Sequence, residues 1–392
     1  MDFVYLDHAA TTPLAPEVLD AMRPFLEPGG APGAFGNPSS RHRLGVSAAE
    51  ALDRARGRVA RAAGVRPREV VFTSGGTEAN NLAVLGLARA GRRLGRHVLL
   101  GPTEHASVRE AALALAQEGF EVELARLGPD GALDLEAIER QLRADTVLVA
   151  QMLANNEFGS VYPIRELASA VRSRAPRAKL AVDAVQAFGK LDCSPRELGA
   201  DAVTISAHKV HGPKGAGALL LASEDLVLRP LVFGGGQERR LRPGTENVAA
   251  LVGFAVAAEL AERERERAVV SMRAVRSLLR ERLARLPGAR ILEPGASACA
   301  PLPSILSLYL SGVPAEVRLH HLEARGVYVS TGSACQSGKQ DASPALLALG
   351  LSVQEARQVL RFSFSRDTTL DEARCAAETL EALGRELDAA LR

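Results

Sequence analysis

Three residues that can do chemistry follow one apolar, β-branched run. In Ala202-Val203-Thr204-Ile205-Ser206-Ala207-His208-Lys209 a serine, a histidine and a lysine arrive together, and Gly212-Pro213 soon interrupts any continuation. Lysine is scarce, five residues against 43 arginines, so its presence here is conspicuous. Strand ends followed by such turns are where α/β sheets place reactive groups. A lone amine in that position can condense with an aldehyde. A solvated lysine beside a turn remains the open alternative on this segment alone.

Condensation with an aldehyde is how pyridoxal phosphate is held, and four other segments offer what such a site needs. In Phe72-Thr-Ser-Gly-Gly-Thr-Glu-Ala-Asn80 a strand runs into two glycines and a helix starts at a hydroxyl residue. Backbone N–H groups can approach an anion there, and the helix N-terminus adds its positive end; an ordinary capped turn is the alternative. Leu180-Ala-Val-Asp183 delivers a carboxylate to a strand end, able to pair with a protonated pyridine nitrogen, or merely to cap a helix. Gln186, three residues on, can reach the ring's phenolic oxygen. His105, in Thr103-Glu-His105, can stack on the ring and move protons, or be structural. Asn155-Asn-Glu-Phe-Gly159 is a polar loop able to offer side-chain amides.

The elements that must position these groups alternate between Glu69 and Leu221. Short β-rich runs (70–72, 97–100, 146–150, 180–183, 202–205, 216–221) are interleaved with helices starting near Thr77, Ala106 and Pro163, which predicts an open, mostly parallel sheet with helices on both faces. A long helix is expected over about 246–286, its Glu262-Arg-Glu-Arg-Glu-Arg267 run forming a solvated face with i,i+3 ion pairs. Beyond Pro287-Gly288, strands at 290–292, 304–310, 328–330 and 361–365 mix with helices near Pro314, Ser343 and Ser352 and a terminal helix from Leu370. The fold class is thus α/β, a large domain over 12–257 and a smaller α+β domain over 258–392 joined by residues 1–11.

Composition excludes other classes. A length of 392 residues allows two domains, and a net charge of +2 without a basic tract gives no reason to expect nucleic acid. No apolar stretch suits a membrane span, and the first residues lack the pattern of a secretory signal; a cytoplasmic protein is expected. Cys193, Cys299, Cys335 and Cys375 lie far apart, and no metal site is expected.

Ten motifs in order carry a resemblance: Tyr5-Leu-Asp-His-Ala-Ala-Thr-Thr-Pro13, Gly36-Asn-Pro-Ser-Ser40, Thr73-Ser-Gly-Gly-Thr-Glu78, Thr103-Glu-His105, Asn155-Asn-Glu157, Val182-Asp-Ala-Val-Gln186, Ser206 to Gly215, Arg242-Pro-Gly-Thr-Glu246, Ser330-Thr-Gly-Ser-Ala-Cys335 and Arg361-Phe-Ser363. Together they resemble the NifS/IscS-type cysteine desulfurases, of the class V aminotransferase group of fold type I pyridoxal phosphate enzymes, over nearly the whole chain. The resemblance implies that Lys209 carries the cofactor and acts as base at the substrate Cα, that His105 stacks on the ring, and that Asp183 and Gln186 hold its nitrogen and phenolic oxygen. Gly76, Thr77, Ser206 and His208 would hold the phosphate, joined by Thr245 from a neighbouring subunit, which implies a homodimer. Asn156 and Arg361 would orient the substrate carboxylate, the arginine by its bidentate fork.

Cys335 separates this reading from relatives. It lies in a run of small and polar residues, the composition of a mobile surface loop. The resemblance implies that its thiolate takes sulfur from L-cysteine, leaving a persulfide and L-alanine, with an iron–sulfur scaffold or thiolation enzyme as the sulfur acceptor. Selenocysteine lyase, another class V enzyme and a non-catalytic descendant are the alternatives. Some members dock a scaffold through an extension beyond the last helix; the sequence ends at Arg392, where that helix is expected to end, which leaves the mode of docking open and the chemistry unaffected.

Overall fold

The computed structural model describes residues 3–27, 34–295, 299–332 and 342–390. Its strands, in chain order, are β1 (Val4–Tyr5), β2 (Val70–Thr73), β3 (His97–Leu100), β4 (Glu121–Leu124), β5 (Thr146–Ala150), β6 (Lys179–Asp183), β7 (Ala202–Ser206), β8 (Gly217–Leu221), β9 (Ala289–Leu292), β10 (Ile305–Leu310), β11 (Val327–Tyr328), β12 (Ser330–Thr331) and β13 (Val359–Ser363).

Seven of them form one sheet in the order β2-β8-β7-β6-β5-β3-β4, parallel except that β8 runs antiparallel to both of its neighbours. The inner strands are apolar on both faces, as Thr-Val-Leu-Val-Ala of β5 illustrates, because helices cover both sides. Alternation divides their side chains. Leu99, Val149, Val182, Val203 and Leu220 enter one core cluster, while Val98, Leu148, Ala181, Ala202 and Leu219 enter the other. A four-stranded antiparallel sheet, β12-β13-β10-β9, has a core of its own that includes Leu306, Leu308 and Phe362.

Helix Val248–Leu283 links the two. Phe254, Ala257 and Leu260 pack into the large-sheet core, whereas Met272, Val275 and Leu279 pack under the small sheet. Its charged stretch carries the i,i+3 pairs Glu262–Arg265 and Glu264–Arg267, and Glu264 also reaches Arg366 at 3.1 Å.

Some elements differ from expectation. Strand β4 is a half-exposed edge whose Glu-Val-Glu-Leu pattern reads as polar surface. Helices Pro16–Met22 and Arg43–Ala62 lie in a stretch where only the Gly36–Ser40 motif stood out. The single strand expected at 328–330 is two short pieces with different partners: β11 pairs in parallel with β1, and β12 pairs with β13.

Candidate active site

The carboxyl ends of β6 and β7, the start of helix Gly76–Gly91, the loops after β3 and β5, and the N-terminal segment converge on one cavity of ≈ 310 Å³. Gly76, Thr77, His105, Asn156, Asp183, Gln186, Ser206, His208, Lys209 and Arg361 all line it. These expected site residues are thus together, with two exceptions. Thr245 is exposed and does not line the cavity. Cys335 lies outside the described residues.

Lys209 ends the 3-10 turn Ala207–Lys209 that follows β7. Its Nζ donates to the carbonyls of Ala9 and Ala10, at 2.5 and 2.6 Å. The N-terminal segment therefore receives the reactive amine, a role unassigned in the sequence although the Tyr5–Pro13 motif contains both residues. Thr12 fixes this segment from the other side, donating N–H and Oγ1–H to the His208 carbonyl at 3.0 and 2.9 Å. Gln186 Nε2 donates to Ala9 O at 2.9 Å, which anchors its amide at the cavity wall.

The anion cup is built at the helix start. Gly75 has φ 151° and ψ −175°, a conformation reserved for glycine. A Cβ on Gly76 would stand 2.8 Å from Val185 Cγ2, so the approach is open only to glycine. The first amides of a helix lack intrahelical acceptors. Ser206 Oγ, buried beside them, bonds no protein atom among the described residues. Glu78 braces the cup: its carboxylate accepts from Ser74 N at 2.7 Å and from Arg242 Nε at 2.9 Å. The His208 imidazole is pushed down to about 4 by burial and by the cations Lys209 and Lys214, so it is neutral at physiological pH. Its Nδ1 lies 3.2 Å from Thr11 Oγ1.

Asp183 ends β6 and is 8% exposed. Oδ1 accepts from Val185 N at 2.9 Å and Oδ2 from Asn80 Nδ2 at 2.7 Å, leaving further lone pairs facing the cavity. Asn80 also donates to Ser107 Oγ at 2.9 Å, and Ser107 Oγ lies 2.8 Å from His105 Nδ1. That histidine caps helix Ala106–Gln117, where Nδ1 accepts from Ser107 N at 3.1 Å. With its Nδ1 lone pair committed, the neutral ring carries its proton on Nε2. Burial lowers the imidazole's affinity for a second proton; Asp183 opposes that effect, and Lys209 and Arg109 reinforce it. Asn80 and Ser107 were not singled out in the sequence. Asn80 closes the quoted helix-start motif, but nothing in the string indicates that its amide crosses to β6.

Arg361 comes from the small sheet. It is 3% exposed on β13, donates from Nη2 to Asp7 at 2.8 Å and from Nη1 to the Asn156 carbonyl at 2.9 Å. Its Nε is buried with no protein partner among the described residues. The fork is thus partly engaged by the protein, and Asp7 is a site residue that the sequence reading left without a role.

A second, smaller cavity beside His105 and Asn156 is lined by Glu104, Arg109, Glu157, Gly332 and Ser343. Burial pushes the Glu157 carboxyl up to about 7.

These groups fit pyridoxal phosphate: an amine for the aldehyde, a carboxylate for the ring nitrogen, an imidazole at the ring, and a glycine cup with an unpartnered hydroxyl for the phosphate. Among the described residues no helix is long and apolar enough to cross a membrane.

Comparison with known proteins agrees with this geometry. "Cysteine desulfurase IscS" of Dictyoglomus turgidum is 38% identical over 381 residues, covering 97% of this chain and 94% of that protein. A "Cysteine desulfurase" of Frankia sp. is 42% identical over 386 residues, 96% and 90% of the two chains. Among solved structures, a "NifS-like protein" superposes with a TM-score of 0.88 at 34% identity, covering 97% of this chain and 99% of the other. Residues 4–374 match the aminotransferase class-V family, and the chain belongs to that family.

Proposed function

We propose that this chain is a pyridoxal-phosphate-dependent L-cysteine desulfurase. The observation that carries the reading is the convergence, in one cavity, of Lys209 and Asp183 from the large sheet with Arg361 from the small one. When bound, the cofactor supplies an electron sink for charge that develops at the substrate Cα. Lys209 would hold it and, once displaced by the substrate amine, accept the Cα proton at Nζ. Asp183 would keep the ring nitrogen protonated, Gln186 would hold the phenolic oxygen, and Gly76, Thr77, Ser206 and His208 would hold the phosphate. Arg361, through its unpartnered Nε, and Asn156 would orient the substrate carboxylate. His105, with its proton on Nε2, is the group placed to move protons over the ring.

Cys335 is proposed as the sulfur acceptor. Its Sγ takes the substrate sulfur as the Cβ–S bond breaks, so that L-cysteine and one thiol become L-alanine and one persulfide. Sulfur then passes to an acceptor protein, for iron–sulfur assembly or another sulfur-transfer pathway. Selenocysteine lyase is not favoured, since the curated relatives carry the cysteine desulfurase name.

The test is Cys335→Ala. It should bind the cofactor and change its visible band on adding cysteine, yet release no alanine. In the intact protein, brief exposure to cysteine should add one sulfur to the Cys335 peptide and none to those containing Cys193, Cys299 or Cys375. Desulfuration by the alanine variant at the wild-type rate would refute the assignment.

Three further readings belong with this one. The large domain spans 12–257, with 258–392 and 1–11 forming the smaller one; helix Val248–Leu283 passes from the large-sheet core at Leu260 to the small-sheet core at Ala268, which supports a boundary within this helix, a few residues beyond 257. The protein is a cytoplasmic homodimer in which Thr245 completes the partner's phosphate site. Its exposure, on a loop tied to the phosphate cup by the Arg242–Glu78 pair, supports this. A fully active monomer in sedimentation would refute the shared site.

A further inference from the structure

Glu104 stands beside His105 yet has no part in the chemistry above. Its side chain is buried, 6% exposed. Oε1 accepts the Met152 N–H at the exit of β5. Oε2 is buried and bonds no protein atom among the described residues. Asp183 differs: each of its oxygens accepts an N–H, from Val185 and Asn80.

The Glu104 carboxyl is linked through the backbone to the main-chain carbonyl of Asp183. Glu104 holds Met152 N, and the next amide, Leu153 N, donates to Asp183 O at 2.8 Å. Met152, Ala154 and Asn156 along this exit all line the main cavity. Among the described residues none offers Glu104 a counter-charge. Asp183 faces it from β6, His105 adjoins it, and Tyr162, bonded to Thr103 at 2.7 Å, approaches from the loop after β5. Glu157 and Arg109 lie across the smaller cavity, and Arg109 pairs with Glu110 at 3.2 Å. Burial first, and the charge of Asp183 second, hold the Glu104 proton well above the usual carboxylate range. Two ionised carboxyls here would repel each other in a region of low polarity, with only one of them solvated by hydrogen bonds.

We propose that Glu104 is held as a neutral carboxylic acid and is a positioning residue for the reaction. It fixes the exit of β5 through Met152 while leaving the negative charge on Asp183, which would pair with the pyridine nitrogen. This deepens the proposed function and rests on the role given there to Asp183. A neutral acid and a glutamine present the same polarity to this site, one carbonyl acceptor and a donor in place of the second oxygen; an ionised carboxylate does not.

The experiment is infrared difference spectroscopy of the holoenzyme, wild type minus Glu104→Gln, in H2O and D2O. The wild type should show a protonated-carboxyl C=O stretch that shifts in D2O and is lost in the variant. It should persist above the pH at which Glu157, titrating at about 7, has ionised and no longer contributes. Glu104→Gln should leave the pH midpoint of the cofactor's visible band in place. Glu104→Ala should lower kcat by about ten-fold through the lost Met152 contact, with glutamine restoring most of it. Absence of the band, or a midpoint displaced by about one pH unit in Glu104→Gln, would overturn the proposal. The infrared band reports Glu104 whether or not the protein desulfurates cysteine, so its failure is distinguishable from that of the functional reading.

Discussion

The two sheets serve the cavity in different ways. The seven-stranded sheet contributes at its edge: Asp183 is the last residue of β6, Ser206 the last of β7, and Lys209 lies in the turn beyond. The four-stranded sheet contributes from the middle of a strand, where Arg361 is flanked by Ser307 on β10 and Ser330 on β12. A parallel sheet gathers reactive groups because its strand ends share one rim and its helices begin there. An antiparallel sheet presents a side chain by register, and a single residue's slip would turn Arg361 to the other face. On the roles proposed above, the groups that would hold the cofactor and move protons sit on the first sheet, and the arginine that would orient the substrate sits on the second. Substitutions should separate accordingly, with kcat losses on one side and KM losses on the other.

The largest effect is expected at Lys209. Lys209→Ala should lower alanine release by roughly 1000-fold or more, and borohydride should leave no pyridoxyl adduct on its peptide; substantial residual turnover would move the base elsewhere. Next, Asp183→Asn should cut kcat by on the order of 100-fold while the protein stays folded with cofactor bound. Normal turnover would reduce Asp183 to a backbone cap. Arg361→Lys should act mainly on KM, by about 30-fold, because a point charge replaces a planar donor set that also grips Asp7 and Asn156. A fall in kcat alone would break the division between the sheets.

The remaining expected effect bears on stability rather than turnover: acid sensitivity. Burial, foremost, pushes His8 down to about 3, with His211 and Lys190 reinforcing the shift. The unfolded chain binds a proton there below the usual histidine value of 6.5, and the folded chain does not until about 3. Stability contributed by the neutral ring is therefore lost as pH falls through that window, by up to ~1.4 kcal/mol per pH unit. His8→Gln should flatten the decline of denaturation midpoint between about pH 6 and 4; an unchanged slope would assign the acid lability to other groups.

Legibility followed the same division. The strand-end residues could be read directly, because a hydrophobic run, a glycine turn and a reactive side chain are adjacent in sequence. Strand β4 could not, since an exposed edge alternates charge with apolar residues and reads as surface. Nor could the partners of the expected residues. Asn80 meets Asp183 across 103 positions, and Asp7 meets Arg361 across 354; no local pattern encodes such meetings. Arg361 itself came from resemblance, as nothing in Val-Leu-Arg-Phe-Ser marks an arginine as functional. Glu104 was visible within a motif, but its protonation state follows from burial and hydrogen-bond counts that exist only in three dimensions.

The N-terminal segment ties both sheets to the cavity within six residues: Asp7 to Arg361, Ala9 to Gln186 and Lys209, Thr12 to His208. Its partners leave the ribosome in a fixed order. Asp183 and Lys209 have emerged while β13 is still unmade, so the growing chain can assemble the reactive rim before it has any means of orienting a substrate. The N-terminal peptide meets its last partner only once β13 has been made. Closure of the site thus waits on β13, and a chain truncated before that strand would carry the amine without the arginine proposed to orient its substrate.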